Sequence, residues 1–274
     1  MSWIEAIVLA LVQGLTEFLP VSSSAHLILI PLLTGWEDQG LAFDIAVHFG
    51  TLLAVVWYFR QDLSKLSIGW WGSLRYGKHT PESRLAWGIG LATIPVGLAG
   101  LAFKPLIETH FRSGLVMAFG LIVFGLLLGY ADWRYSRQRR QPQPPALSNE
   151  YQVSAWQITV IALAQALALI PGTSRSGITL TAGLLVGLSR EASARFSFLL
   201  SIPVIVLASM LQVGEALTQP VNIQLPVVLV GVIVAALSAY ACISVFLQLI
   251  KKTGLQPFVV YRLLLGGYLL YLFS

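Results

Sequence analysis

The chain has 274 residues, of which 56% are hydrophobic and only 11% are charged, whereas an ordinary soluble domain is about 25% charged. The mean hydropathy of +0.77 excludes a soluble globular domain, a coiled coil and a disordered chain. The net charge of +5 rests on few residues, so it predicts no nucleic-acid partner and indicates basic loops beside an anionic membrane leaflet. The single cysteine, Cys242, excludes an internal disulfide.

Long charge-free stretches predict six membrane-spanning helices, because about 20 apolar residues are needed to cross the hydrocarbon core. The predicted spans are 41–59, 85–107, 113–133, 191–213, 224–250 and 255–273. The fold class predicted is an all-α polytopic membrane protein that forms a single membrane domain over residues 1–274.

Basic residues are distributed unevenly between the connections. Threading six spans collects 12 of them on one side, in the loop 60–84, in the loop after residue 133, and at Arg190, Lys251 and Lys252. The opposite side holds essentially Lys104 and Arg112. By the positive-inside rule, the richer side is cytoplasmic. The segments expected outside the cytoplasm are the loop 34–40, the turn 108–112, the loop 214–223 and the C-terminus.

Two apolar segments do not fit as spans, because each stops at a proline that is soon followed by hydroxyl residues. Residues 3–19 end at Pro20, and residues 152–170 end at Pro171. A polar break in apolar sequence predicts a re-entrant helix hairpin, since irregular backbone at this depth must line a protein cavity. The competing interpretation of the N-terminus is a secretory signal peptide, which the acidic Glu5 and the missing basic n-region disfavour.

The two hairpins resemble each other, and each precedes three predicted spans. The first contains QGLTEFLPVSSS and the second contains QALALIPGTSRS. We predict a first repeat over 1–140, a linker over 141–150 and a second repeat over 151–274. An odd number of spans per half turns the second hairpin to the opposite face, which is the pattern of an inverted-topology repeat. The alternative is a chance similarity of two Pro-Ser turns.

Each hairpin carries one charged residue. Glu17 is the only charged residue in 6–36, and Arg175 is the only one in 151–189. An unpaired charge in the membrane costs several kcal/mol, so one interpretation is a structural ion pair that joins the two repeats. The hydroxyl residues crowded beside both charges favour a site for a polar ligand.

The second hairpin has the chemistry of a phosphate site. A guanidinium group binds phosphate oxygens in a bidentate way. The segment 172–177 leads into a helix, whose first N–H groups and Ser/Thr caps would add to an anion site. The candidate phosphate-binding residues are Ser24, Thr173, Ser174, Arg175, Ser176 and Thr179.

The first hairpin has the chemistry of a cation site. Gln13 and Glu17 are four residues apart and share a helix face, and their oxygens suit a hard divalent cation completed by water and phosphate. His26 follows the serines and could act as an acid or base or as a structural hydrogen bonder. Asp44 and His48 are interpreted as a helix-start cap with a buried partner.

The motifs Q-x-x-x-E with FLPVSSSAH, ending at His26, and PGTSRSGIT, over 171–179, resemble the undecaprenyl-diphosphate phosphatase family, also called the bacitracin-resistance protein. Both motifs match in order and spacing, and the resemblance covers essentially the whole chain. It implies hydrolysis of undecaprenyl diphosphate to undecaprenyl phosphate and phosphate, which recycles the lipid carrier for peptidoglycan. It also implies a divalent cation, Mg²⁺ or Ca²⁺, and two inverted repeats with re-entrant hairpins.

The resemblance also assigns roles to individual residues. Gln13 and Glu17 fall on the acidic, metal-binding motif, although many members have glutamate where Gln13 stands. The catalytic candidates are Glu17, Ser23 as nucleophile, His26 as the essential histidine and Arg175 as the essential arginine. The polar remainder of the second motif corresponds to Ser174, Ser176 and Thr179.

The predicted mechanism is attack by Ser23 or a water on the terminal phosphorus of a prenyl diphosphate lipid. His26 or Glu17 would take the proton, while Arg175 and the cation stabilise charge. The alternative function is a membrane transporter or flippase for a phosphorylated lipid or anion, which also uses inverted repeats with charges near the midplane. The predicted location is the bacterial plasma (inner) membrane, and a homodimer is among the assemblies that the sequence permits.

Overall fold

The computed structural model describes residues 1–106, 113–142, 149–216 and 224–274, and the regular elements in these ranges are all helical. The α-helices are α1 (Trp3–Thr16), α2 (Ser23–Thr34), α3 (Leu41–Tyr58), α4 (Arg60–Tyr76), α5 (Pro81–Leu106), α6 (Gly114–Arg139), α7 (Ala155–Ala166), α8 (Arg175–Leu185), α9 (Arg190–Ala216), α10 (Leu225–Thr253) and α11 (Gln256–Phe273). Short 3₁₀ turns lie at Glu150–Gln152 and Leu167–Leu169. The predicted turn 108–112 and most of the loop 214–223 and of the linker 141–150 lie outside the described residues.

Six of the described helices, α3, α5, α6, α9, α10 and α11, are long and apolar enough to cross a membrane. Each of them overlaps one predicted span, so the six spans and the all-α multi-pass fold are confirmed. At most 39% of the most apolar window of any of these helices is buried inside the protein. Most of the apolar surface of the spans therefore faces outward, where lipid can cover it.

The predicted loop over 60–84 is wrong, because residues 60–76 form the helix α4. Its exposed side chains combine apolar Ile68 and Trp71 with basic Lys65 and Arg75, which is typical of a helix lying on a membrane surface. Helix α6 likewise continues through the basic residues after 133 to Arg139. Lysine and arginine are good helix formers, so a basic run marks the edge of the hydrocarbon without ending the helix.

The first residues of α9 anchor this helix to neighbouring segments through ion pairs. The Arg190 Nε atom lies 2.6 Å from Asp132 Oδ1 on α6. Five residues later, Arg195 Nη2 lies 2.9 Å from Asp62 Oδ1 on α4, and Arg195 also forms an ion pair with Glu150. These pairs fix one end of the bundle and lie apart from the proline turns.

The two predicted hairpins form two pairs of short helices, α1 with α2 and α7 with α8, and the helices of each pair pack against each other. Capping boxes at Ser2 and Ser154 start α1 and α7. The longest of these helices has 14 residues and rises about 21 Å, less than the ~30 Å of hydrocarbon core. Their return to the same membrane face stays a prediction.

Helices at equivalent positions in the two halves of the chain make equivalent contacts with the other half. Helix α1 packs on α10 and α7 packs on α5, while α3 contacts α10 and α9 contacts α5. Small residues permit close approach to α10: a Cβ on Gly14 would lie 2.6 Å from the Ala235 carbonyl oxygen, and one on Gly50 would lie 2.4 Å from that of Val232. Each hairpin therefore rests on a span of the other half, and the two proline turns meet.

Candidate active site

The two turns share an unusual backbone shape. Ser22 and Ser174, the N-cap residues of α2 and α8, have φ of 71° and 68°. Non-glycine residues rarely adopt this region, and such strain costs about 1–3 kcal/mol per residue and clusters at functional sites. Each cap hydroxyl also contacts a serine two residues on, Ser24 at 3.2 Å and Ser176 at 3.1 Å. The similarity of the two motifs thus extends to their conformation.

Glu17 lies where the two turns meet, and its side chain is only 9% exposed. Its Oε1 atom accepts a hydrogen bond from Arg175 Nη2 at 2.8 Å, and its Oε2 atom accepts from Ser23 Oγ at 2.8 Å and Gln13 Nε2 at 3.1 Å. Arg175 also donates from Nη1 to the Ser197 carbonyl oxygen at 3.2 Å. The ion pair between the hairpins therefore exists, and a serine hydroxyl points at the same carboxylate.

These groups form one wall of a cavity of about 240 Å³. The apolar lining includes Val96 of α5 and Val204 and Ile205 of α9. The polar lining comprises Glu17, Ser22, Ser23, Ser24, His48, Ser174, Arg175, Ser209 and Gln212. Helices α2 and α8 both begin at this wall, and helix N-termini favour anions. The cavity has the chemistry to hold a phosphate group beside a hydroxyl and a carboxylate.

Three of the predicted phosphate-binding residues do not line the cavity. Ser176 Oγ donates to the Leu19 carbonyl oxygen at 2.8 Å, which joins the two hairpins. Thr179 Oγ1 lies 2.7 Å from Ser197 Oγ, and Thr173 is fully buried. The predicted residues that reach the cavity are Ser24, Ser174 and Arg175.

His26 faces away from this cavity. Its Nδ1 atom lies 2.7 Å from the Ser22 carbonyl oxygen and its Nε2 atom lies 2.6 Å from the Tyr261 hydroxyl, while the His26 and Tyr261 rings stack at 5.7 Å. A second cavity of about 360 Å³ lies on this side. The structure does not bring His26 to the group of Glu17, Ser23 and Arg175, so its catalytic role stays a prediction.

His48 does line the cavity, although the sequence favoured a structural role for it. Its Nε2 atom lies 3.8 Å from Glu17 Oε2, and its Nδ1 atom lies 2.7 Å from the Asp44 carbonyl oxygen. The spacing of Asp44 and His48 was visible in the sequence. The packing of α3 beside the first hairpin, which brings His48 to Glu17, was not.

The oxygen donors around Glu17 fit a hard divalent cation. The buried Gln13 Oε1 atom has no hydrogen-bond partner among the described residues, and it belongs to the side chain that contacts the Glu17 carboxylate. No group of three or more His, Cys, Asp or Glu side chains that could hold a metal occurs in the described part of the chain. Substrate oxygens and water would therefore have to complete the coordination, as Mg²⁺ commonly requires.

The fold and the cavity define a multi-pass membrane protein with a polar site at the N-termini of two helices, a position that favours an anion. Residues 6–268 match the family of the bacitracin resistance protein BacA, and the chain belongs to this family. It is 57% identical over 274 residues to undecaprenyl-diphosphatase 2 of Stutzerimonas stutzeri, covering 100% of this chain and 99% of the relative. It is 52% and 53% identical, over the full length of both chains, to the undecaprenyl-diphosphatases of Nitrosococcus oceani and Thioalkalivibrio sulfidiphilus.

Proposed function

We propose that this protein hydrolyses undecaprenyl diphosphate to undecaprenyl phosphate and phosphate, which recycles the lipid carrier of cell-wall synthesis and confers resistance to bacitracin. The observation that carries the proposal is the 2.8 Å hydrogen bond from Ser23 to Glu17 in a cavity that also holds Arg175. The three relatives named above are undecaprenyl-diphosphatases. A transporter or flippase would need the anion site, but it would not need a hydroxyl bonded to a carboxylate.

The contacts suggest a role for each residue in phosphoryl transfer, a reaction in which the protein mainly positions groups and stabilises charge. Arg175 and the N–H groups at the starts of α2 and α8 would bind the terminal phosphate. The Ser23 oxygen, or a water in its place, would attack the phosphorus, and Glu17 would accept the proton. The bond to the bridging oxygen then breaks and releases undecaprenyl phosphate, and water frees the phosphate from Ser23.

The cation is part of this proposal. Mg²⁺ or Ca²⁺ would be held by Glu17 and Gln13, and when bound it would supply positive charge to the phosphate oxygens. Because Glu17 already pairs with Arg175, the carboxylate adds little net negative charge. The diphosphate itself would therefore supply much of the attraction for the cation.

Removal of the Ser23 hydroxyl tests the proposed chemistry. Purified wild-type protein in detergent is expected to release phosphate from undecaprenyl diphosphate. In Ser23→Ala, kcat is expected to fall at least ~100-fold, because the variant lacks both the nucleophilic hydroxyl and its hydrogen bond to the general base. Ser67→Ala, at an exposed site on α4, is the matched control and should keep wild-type activity. Mass spectrometry of quenched wild-type enzyme should detect phosphoserine at residue 23.

One outcome would contradict the proposed function, and another would contradict attack by Ser23. Absence of phosphate release by the wild type, together with retained binding of the lipid, would favour the transporter or flippase. If Ser23→Ala keeps more than a tenth of the wild-type rate, a water is the nucleophile and Ser23 only contacts Glu17.

The position of the cavity supports a site that opens on the extracytoplasmic side of the bacterial inner membrane. His48 lies in the first half of α3, and Val204 to Gln212 lie in the second half of α9, so both are far from the basic residues that start α9. By the positive-inside rule, that basic side is cytoplasmic. The equivalent contacts that the two halves make with each other support the inverted repeat. In this topology Glu17 is accessible from the extracytoplasmic side. A homodimer stays a prediction.

Cysteine labelling tests this topology. In a Cys242→Ser background, a cysteine at Glu37 is expected to react with an impermeant maleimide in intact cells, and one at Gln141 only after permeabilisation. Both positions are exposed, and serine can keep the hydrogen bond that the Cys242 Sγ atom donates to the Leu15 carbonyl oxygen. Labelling of both positions from the same side would refute the inverted repeat.

A further inference from the structure

A buried arginine outside the two motifs connects both turns of the site. Arg262 on α11 is 0% exposed and is one of the largest fully buried side chains of the described residues. No carboxylate of the described residues forms an ion pair with it. Burial of a charged group without an oppositely charged partner costs free energy. The guanidinium of Arg262 must therefore be stabilised by its hydrogen bonds.

The guanidinium donates to four backbone carbonyl oxygens in three separate segments. Its Nε atom binds Leu121 at 3.2 Å and its Nη2 atom binds Gly120 at 3.2 Å, both on α6. Its Nη2 atom also binds Gly172 at 3.0 Å, and its Nη1 atom binds Pro20 at 3.2 Å. The planar fork of arginine can make such a set of bonds, whereas a lysine ammonium cannot reproduce it.

Two of these contacts are at equivalent places in the two turns. Pro20 lies two residues before the N-cap Ser22, and Gly172 lies two residues before the N-cap Ser174. The residue after each N-cap, Ser23 or Arg175, is the one that faces Glu17. One rigid side chain therefore sets the distance between the turn that carries Ser23 and the turn that carries Arg175.

We propose that Arg262 is a positioning residue for hydrolysis: it holds the two strained turns in register so that Ser23 and Arg175 converge on the same phosphate. The inference rests on the proposed function. Its effect should appear in kcat more than in KM, because a misplaced pair weakens stabilisation of the transition state while the prenyl chain still binds.

The test compares Arg262→Lys with Arg190→Lys in detergent, using phosphate release from undecaprenyl diphosphate and the thermal midpoint of unfolding. Arg190 also holds two helices together, through Asp132, but it lies outside the cavity. We expect Arg262→Lys to lose at least ~10-fold in kcat with KM changed less than ~3-fold. We expect Arg190→Lys to lower the midpoint while its folded fraction keeps the wild-type kcat.

A second variant covers the case in which Arg262→Lys does not fold. A Cβ on Gly177 would lie 2.7 Å from Arg262 Nη1 and 3.2 Å from Ser174 Cβ. Gly177→Ala would therefore crowd the guanidinium most and displace it from Pro20 without removing its charge. Alanine is compatible with this helical position. We expect kcat to fall in this variant also.

The outcomes separate this inference from the proposed function. If the wild type releases phosphate and either Arg262→Lys or Gly177→Ala keeps kcat within twofold, Arg262 does not position the site. The same conclusion holds if Arg190→Lys loses as much kcat as Arg262→Lys at an equal thermal midpoint. If the wild type itself releases no phosphate, the proposed function fails.

Discussion

Arg175→Lys is expected to lower kcat for phosphate release by more than ~10-fold, which corresponds to about 1.4 kcal/mol of activation free energy, while the chain still folds. Arginine holds Glu17 through Nη2 and the Ser197 carbonyl oxygen through Nη1. A lysine keeps the charge that pairs with Glu17, but it loses the fork that a phosphate needs for bidentate binding. The measurement is steady-state phosphate release, with folding checked by size-exclusion chromatography.

Arg195→Lys is the matched control for this substitution, since Arg195 pairs with Asp62 and Glu150 outside the cavity. Its kcat should stay close to the wild-type value. If Arg175→Lys keeps more than a tenth of the wild-type rate, Arg175 does not clamp the transferring phosphate. Its ion pair with Glu17 would then have only the structural role that the sequence left open.

Glu17→Gln is expected to remove nearly all activity, by roughly 100-fold or more, the range typical of a lost general base. The amide cannot accept the Ser23 proton, and Arg175 loses its carboxylate partner. Stimulation by Mg²⁺ or Ca²⁺ should disappear as well. Gln13→Glu should instead be tolerated or should tighten cation binding, because it adds a second carboxylate beside the first.

Titration of activity with Mg²⁺ in wild type, Glu17→Gln and Gln13→Glu distinguishes these roles. A half-maximal cation concentration that falls in Gln13→Glu would support a site at these two residues. Full cation stimulation that persists in Glu17→Gln would place the cation elsewhere, and Asp44 would be the first residue to test.

The spans and the meeting of the two hairpins could be predicted because both follow from the membrane as a solvent. A charge-free apolar stretch as long as the bilayer is thick predicts a membrane-spanning helix, and all six such stretches form long helices. Glu17 and Arg175 each needed a partner inside an apolar environment. Pairing them across 158 residues satisfies both, as the structure shows.

The directions of side chains could not be predicted. The left-handed backbone of Ser22 sets the orientation of α2, and no residue pattern reveals that a serine adopts it. His26 was therefore expected beside Ser23 but instead contacts Tyr261, whereas His48 reaches the cavity from another helix. Arg262 was detectable as a charge inside a spanning helix, but its partners are backbone carbonyls, which carry no signal in the sequence.

The packing of α1 against α10 has a consequence for how the protein is made. Helix α1 precedes α10 by more than 200 residues, so it leaves the ribosome long before α10, which ends at Thr253. Throughout synthesis of the intervening chain, Glu17 lacks Arg175 and the first hairpin lacks the surface on which it rests. The first hairpin is therefore synthesised early but can reach its final place only after α10 has been made.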